Sequence, residues 1–416
     1  MRQTDQEYQT NQQEDAATGI TVSICDNFDD VAAFAQQWDQ LVESTGGEIF
    51  MTYDWCRIWW KHYQYGRKLK IFTFYRKDEL AGIIPLFFDK IWLGPIYIRT
   101  AALVGSDFTP VTVSLPVRDG CLTEVIQKFL DILTKRFQWD VLHLGPVAGT
   151  YDKFGELQAA CDQFADDTYT IQSTSNGVQT YFILSDSLED QIARLSKQER
   201  KRMRRNYKVI NSKDVPLKAE YTSADNYETY FDEFVELHQL RWQKVGKAGH
   251  FKDWPGAYEF HRELAAAQFG QKRLRLLKVS LGDLCLGYKY AYKIGEQYHS
   301  LLDARVCGDI GDSLDIGRLL YCEQVKKAIE DNVRIIDSMR GEFEHKLHLG
   351  GELYPVKNIR IYLRKFSVSM RLSIFGFLAH ILNICYYKIW FCRIAPRLRY
   401  KRGHLWRIWI KSRTFC

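Results

Sequence analysis

The 416-residue chain has only nine prolines and five methionines, and none of its ten cysteines falls in a C-x-x-C pair. Metal-finger spacing and a compact disulfide framework are both missing, so each cysteine reads as a small buried hydrophobe in a reducing compartment. H-E-x-x-H and G-x-S-x-G are absent too, so no metal is expected and no nucleophile motif stands out. Met1–Thr18 is polar and has no apolar core, so no signal peptide is expected there, and residues 1–19 are expected to be disordered. Acid is what the other end lacks. Of the 57 Lys and Arg, 14 follow Glu352, and none of the 51 Asp and Glu does. The net charge of +6 therefore hides a mildly acidic globule, with 43 basic and 51 acidic residues, and a basic tail. That balance argues against a generally nucleic-acid-binding protein.

What is present reads as mixed α/β. Thr21–Cys25 is a predicted strand. Phe28–Glu43 and Thr52–Tyr63 have helical apolar spacing, with Thr52 as N-cap. Two strands, Leu69–Arg76 and Leu80–Phe88, flank the turn signal Lys77-Asp78-Glu79. The pattern returns at Leu274–Ser280 and Leu284–Lys293, with Asp78 and Gly82 matching Asp283 and Gly287 at one offset of 205 residues. Trp139–Gly145 likewise mirrors Val333–Gly341. Further helices are predicted at Leu122–Arg136, Tyr151–Phe164 and Asn226–Lys244, and further strands at Tyr181–Leu184, Gln297–Asp303 and Glu352–Arg364. Gly246–Pro255 reads as a loop. Asp107 is either a cleft residue or, more simply, a turn aspartate bonding its own backbone.

Charge gathers in one place. Val333–Ile336 reads as a short buried strand, followed within twelve residues by Asp337, Arg340, Glu342, Glu344, His345, Lys346 and His348. In open α/β sheets, ligands bind beyond the carboxyl ends of strands. Asp337 and Arg340 either serve such a site or merely close a strand–helix junction. The run Asp337-Ser-Met-Arg340-Gly341, then Lys346 and Gly350, resembles the D-x-x-R-G-x-x-x-(Y)-K-x-x-x-G run of GNAT-fold acyltransferases of the CelD/BcsL type. These are distantly similar to the Fem-type peptidoglycan aminoacyl ligases. Here His345 stands in place of the usual Tyr and Leu349 in place of Trp. Phe50-Met-Thr-Tyr-Asp-Trp55, a helix with Arg200, Arg204 and Arg205, and Leu237-His238-Gln-Leu-Arg241-Trp242 resemble other family segments in the expected order.

The resemblance implies two tandem GNAT-like halves, at 20–180 and 181–365, followed by a basic aromatic tail at 366–416. It implies acyl transfer from acyl-CoA, acetyl-CoA for instance, to an amine or hydroxyl of a cell-envelope or polysaccharide precursor. Aminoacyl-tRNA-dependent ligation of the Fem type, or a non-catalytic scaffold in polysaccharide export, are the alternatives. Asp337 and Arg340 are expected to shape the acceptor pocket, Lys346 to meet a carboxylate or phosphate, and Asp303 to act as general base. His238 and Arg241 share a helix face near them.

For the donor, Ser187 opens a helix that is predicted to continue through Lys208, with seven basic residues and one acid over residues 197–208. It reads as a phosphate-binding surface, a site for an acidic substrate or tRNA, or a solvated face. The turn before Leu319–Ile329 carries Ser313, Gly317 and Arg318, and a helix N-terminus there suits an anion. The glycines Gly308, Gly311 and Gly317 are too spread out for the tight pyrophosphate loop of ordinary GNAT enzymes.

The tail has no charged residue over Leu372–Tyr387. Ser373, Gly376, His380, Asn383 and Tyr387 recur along one helical stripe. Lys388, Arg393, Arg397, Arg399, Lys401, Arg402, Arg407, Lys411 and Arg413 follow, mixed with Trp390, Trp406 and Trp409. Such a mixture suits an anionic membrane surface at the cytoplasmic face, and sixteen uncharged residues fall short of the roughly 20 needed to span. A terminal helix docked on the globule is the rival reading.

Overall fold

The computed structural model describes residues 19–109, 111–212, 215–247, 249–306, 314–395, 398 and 404–415. Gly308, Gly311, Ser313, Arg397, Arg399, Lys401 and Arg402, and all but the last of residues 1–19, lie outside them. The chain forms two compact units. The first comprises the described parts of Met1–Gly177, Pro355–Ala395 and Gly403–Cys416, the second those of Val178–Tyr354 and Pro396–Arg402.

Twelve strands occur among the described residues: β1 (Ile20–Cys25), β2 (Lys68–Arg76), β3 (Glu79–Leu93), β4 (Ile96–Leu103), β5 (Val141–Val147), β6 (Tyr169–Ile183), β7 (Leu217–Tyr221), β8 (Leu274–Leu281), β9 (Leu284–Ile294), β10 (Gln297–Arg305), β11 (Ile335–Arg340) and β12 (Glu352–Leu363). The first unit orders its strands β1-β2-β3-β4-β5-β12, and the second β7-β8-β9-β10-β11-β6. In the first, β4 and β5 are parallel, and in the second, β10 and β11 are parallel; the other described pairs are antiparallel. The fold is a mixed α/β arrangement of two like halves. The units depart from chain order after Tyr354. Pro355–Leu363 of β12 belongs with the first unit, whereas the sequence groups it with 181–365.

The 205-residue offset is structural down to the register. β2 pairs with β3 as Phe74↔Gly82 and Tyr75↔Leu80, with a bulge between. β8 pairs with β9 as Val279↔Gly287 and Ser280↔Cys285, with the same bulge. Both hairpins close on two residues. Lys77 and Asp78 take positive φ of 50° and 63°, and Gly282 takes 59°. These are the backbones whose twist joins antiparallel strands.

Helices fill the faces. Leu122–Arg136 forms as predicted, burying Val125, Ile126, Phe129, Leu130 and Leu133. Trp38, Trp55 and Trp59 are wholly buried in the first unit. Thr52 precedes Tyr53–Tyr63, but its hydroxyl donates to the Ile49 carbonyl (2.7 Å) rather than capping. The helix opened by Ser187 stops at Ala193. A second one, Lys197–Asn211, starts anew on Ser196, whose Oγ accepts from Glu199 N. Strand β6 is far longer than Tyr181–Leu184, because its polar first half gives no alternation to read. Short helical turns at His250–Asp253 interrupt the expected loop. Asp107 does not bond only its own turn; it forms a buried two-pronged pair with Arg67.

The two bulge glycines differ in what surrounds them. A Cβ on Gly287 would lie 2.4 Å from the Ala304 carbonyl oxygen, a backbone atom that cannot step aside. On Gly82 it would meet only the Val117 and Val125 side chains, at 3.2 and 3.3 Å. Gly287→Ala is therefore expected to destabilise the second unit by about 1–3 kcal/mol, and Gly82→Ala to do less. Thermal melts of both variants check the order.

Candidate active site

The site grows from a pairing that stops. β10 and β11 pair as Gln297↔Ile335, Tyr298↔Ile336 and His299↔Asp337, and no further. Beyond that point both strands run on, so their facing backbone groups need other partners. Asp337 is wholly buried in the strand and supplies some of them. Its Oδ1 accepts from Met339 N (2.7 Å), and its Oδ2 from Gln179 Nε2 (2.7 Å) and His299 Nδ1 (3.2 Å). Met339 sits at φ 64° and Gly341 at φ 109°, so the strand buckles where its pairing with β6 shifts register. Lys346, on the short helix Glu344–His348, holds the buckle from the other side. Its Nζ donates to the Ser338 (2.5 Å) and Met339 (3.3 Å) carbonyls.

The expected strand end at Ile336 is thus revised. β11 continues to Arg340, because Asp337 and Lys346 satisfy the backbone that a bulge would otherwise orphan. Asp337 is wholly buried and spends its carboxylate on the strand's own backbone and neighbouring side chains. Arg340 is half-buried at the end of the same strand.

Asp303 lies within β10, not at its end, and across from Lys289 on β9. Lys289 Nζ stands 2.8 Å from its Oδ1, and 45% of the Asp303 side chain is exposed. Desolvation opposes ionisation of this carboxyl, but Lys289, Arg241 and His238 outweigh it and hold its pKa below the usual value. An anion so well paired is a poor proton acceptor. His238 is spent as well. Its Nδ1 donates to the Asp303 carbonyl oxygen (2.9 Å), and its Nε2 accepts from Trp242 Nε1 (3.0 Å). Burial keeps this imidazole neutral. Arg241 contributes charge to both neighbours.

Lys346 and His345 belong to the same electrostatic cluster. Burial lowers the Lys346 pKa to about 8, against the pull of Asp337 and Asp303. Desolvation also lowers that of His345, helped by Lys346, Lys289 and Arg305. His345 is exposed, and its lowered pKa favours the neutral imidazole.

The donor candidates divide. Asp315 N-caps the helix Ile316–Glu330 by accepting from Arg318 N (3.2 Å). Arg318 is paired with that same carboxylate and with Glu199, whose Oε2 lies 2.6 Å from its Nε. One N-terminal donor and one arginine are therefore already engaged. Gly317 matters by what it lacks. A Cβ there would lie 2.7 Å from Arg305 Nη1, so its bare Cα lets that guanidinium lie against the first helical turn. Arg200 donates to the Ala193 and Leu195 carbonyls, at 3.0 and 2.6 Å, and closes the preceding helix. Arg204 and Arg205 are exposed. Arg204 and Lys208 rim a groove of about 560 Å³ floored by Ile192, Met203 and Tyr207.

Lys289, His299, Gln179 and Arg305 were missed in the sequence. Lys289 and Asp303 face each other only because β10 slips by one residue between Ser300 and Leu302. Without that bulge the register would set Asp303 opposite Tyr288. Gln179 reaches Asp337 from 158 residues away, and no local pattern signals it.

The Lys346 ammonium has a pH signature. Its folded pKa lies below that of an exposed lysine, so between about pH 8 and 10.5 the unfolded chain binds more protons. Stability from this residue should rise with pH across that window. Lys346→Met should abolish the rise, as read by denaturant midpoints at pH 7.5, 9 and 10.

Residues 197–347 match the family described as "Acetyltransferase (GNAT) domain". No curated protein matches the chain in sequence. Among solved structures it is similar in fold to FemX, with 12% identity and a TM-score of 0.58, over 79% of this chain and 96% of that one. It is also similar to a conserved protein of unknown function from Bacteroides thetaiotaomicron, with 11% identity and a TM-score of 0.50, over 79% and 97% of the two chains. The chain thus has a GNAT-like fold, with the match to the GNAT acetyltransferase domain confined to residues 197–347.

Proposed function

We propose that the chain is an acyl-CoA-dependent N- or O-acyltransferase of the CelD/BcsL type. Its acceptor is a cell-envelope or polysaccharide precursor, met at the inner face of the cytoplasmic membrane. The observation that carries this reading is the parallel pair β10/β11 opening beyond His299–Asp337, inside the matched residues. An opening of this kind leaves backbone N–H groups able to hold a thioester carbonyl as its oxygen gains charge. GNAT domains use acyl-CoA. The residues that suit its phosphates are Arg305 beside the helix start, and Arg204 and Arg205 on the cationic helix.

The transfer is direct. The acceptor's amine or hydroxyl attacks the thioester carbonyl, the C–S bond breaks, and the proton lost by the acceptor balances the departing thiolate. His345 replaces Asp303 as our proton acceptor, because it is neutral and open to solvent whereas Asp303 is paired with Lys289. Lys346 supplies the cation for a carboxylate or phosphate on the acceptor. The Fem-like alternative rests on the exposed Arg204, Arg205 and Lys208, which would suit tRNA equally well.

Calorimetry with CoA, acetyl-CoA and charged tRNA separates the readings. Acyl transfer requires CoA binding, and Arg305→Gln should weaken it roughly tenfold, the about 1.5 kcal/mol of one charge-assisted hydrogen bond. Binding of tRNA in place of CoA, with a steep salt dependence, would move the assignment to the ligase. His345→Gln should cost about 10²–10⁴ in turnover and remove the acid limb of the pH profile. Unchanged turnover would return the base to another residue.

A further inference from the structure

The first unit carries its exposed apolar side chains mainly on one helix. Phe366–Leu382, continued in π-type turns to Ile394, rests Phe375 and Ala379 on Ile91 and Ile98 and turns Phe366, Phe377 and Ile381 outward. The terminal helix His404–Ser412 docks on it, with Asn383 Oδ1 accepting from Trp409 Nε1 (3.0 Å). The second unit differs. Among its described residues a single Phe, Tyr or Trp is exposed, Phe343 at 49%, and it stands in the candidate active site.

Local rules do not ask for a ring there. Phe343 occupies the N-cap of Glu344–His348, where Ser, Thr, Asp or Asn would bond a backbone N–H that the helix leaves without a partner. Its side chain caps nothing. A ring left in water also forgoes the gain of burial. Positions that break a local rule in this way tend to be functional.

The ring is nonetheless fixed. Gly341, at φ 109°, offers it a bare Cα; a Cβ there would lie 2.5 Å from Cε2 of Phe343 and 3.1 Å from Cζ. Lys346 Nζ, pinned by the Ser338 and Met339 carbonyls, is 5.0 Å from the ring centre. The lysine that holds the buckle of β11 thus also holds the ring. The His345 imidazole is 5.7 Å away, centre to centre, with the planes 31° apart.

The neighbouring charges select what rests on this ring. Glu342 and Glu344 flank it in sequence and are exposed. Ionised carboxylates accept hydrogen bonds and donate none. An apolar surface beside such acceptors suits a molecule that is apolar on one face and rich in O–H or N–H donors at its edge. A pyranose has that form, with C–H bonds on its face and hydroxyls around its rim. The same carboxylates repel a phosphate-rich partner, and an acyl chain gains nothing from them.

Resting on the acyltransferase reading above, we propose that Phe343 is the acceptor platform, on which a pyranose ring lies, and that it selects an amine or hydroxyl carried on a sugar. Glu342 and Glu344 accept hydrogen bonds from the sugar's rim. The seat brings the attacking group to His345. That group forms the new acyl bond and gives its proton to the imidazole, while the C–S bond breaks and CoA leaves as the thiolate.

Acetyl transfer from acetyl-CoA to the methyl glycosides of glucose, galactose, mannose and glucosamine tests it. Ethanolamine, an amine without a ring, is the control, and CoA binding is followed by calorimetry on the same proteins. At least one glycoside should be acetylated in preference to ethanolamine. Phe343→Ala should raise KM for that sugar roughly tenfold, the share of one stacked ring, with kcat little changed. Phe343→Tyr should restore the wild-type KM and Phe343→Leu should not. Because the side chain is exposed, melts and CoA binding should stay at wild-type values in all three. An unchanged KM in Phe343→Ala, or its restoration by Leu, overturns the platform. If CoA binds but no glycoside is acetylated, or ethanolamine serves as well, the sugar seat falls and the acyltransferase reading stands. If CoA does not bind either, both fall. Inhibition by adenosine that Phe343→Ala abolishes, without sugar turnover, would put a nucleobase on the ring and overturn the proposal.

Discussion

A parallel strand pair that separates after three residues governs the second unit. Each strand beyond His299 and Asp337 has backbone polar groups with no strand opposite, and burying them unpaired would cost about 1–3 kcal/mol apiece. The protein answers with side chains. Asp337 takes the Met339 N–H, Lys346 donates to the Ser338 and Met339 carbonyls, and Gln179 and His299 complete the carboxylate's bonds. The D-x-x-R-G…K run is therefore first a repair of interrupted pairing.

That repair fixes the electrostatics. One ammonium and one carboxylate are drawn inward, Lys346 with a lowered pKa and Asp337 with no exposure. Asp303 and Lys289 neutralise one another at the rim. His238 is locked between a carbonyl and an indole, leaving His345 as the exposed imidazole of the cluster. The first unit has the same strand order but places different groups at its parallel pair. There Ala102 stands opposite His143, and Lys411 of the terminal helix joins Arg67 and Asp89 nearby.

The hairpins were legible in the sequence because two-residue turns have their own chemistry, and Leu122–Arg136 because its apolar spacing is unbroken. The repeat at 205 residues was legible from four residues and proved to include the bulge. Strand β6 was not, since Tyr169–Gly177 is mostly polar and half-exposed. The charged residues of the site could be named one by one, but not their roles. Roles depended on a register slip at Ser300–Leu302, on burial of Asp337 by strands far away in sequence, and on which arginines had found carboxylates. None of these leaves a periodic trace.

The placement of β6 and β12 bears on how the chain is made. The first unit's sheet ends on β12, which is translated about 200 residues after β5, its neighbour. Until then β5 has an open edge, the kind of template that invites pairing with another chain. Meanwhile β6, translated directly after the first unit's helices, must wait for β11. The first unit cannot close on a contiguous stretch of nascent polypeptide, so synthesis from the ribosome exposes it to long-range pairing that is slow by topology. The same connectivity means that no cut between the halves yields two self-sufficient pieces. The two halves are alike in plan yet obliged to mature together.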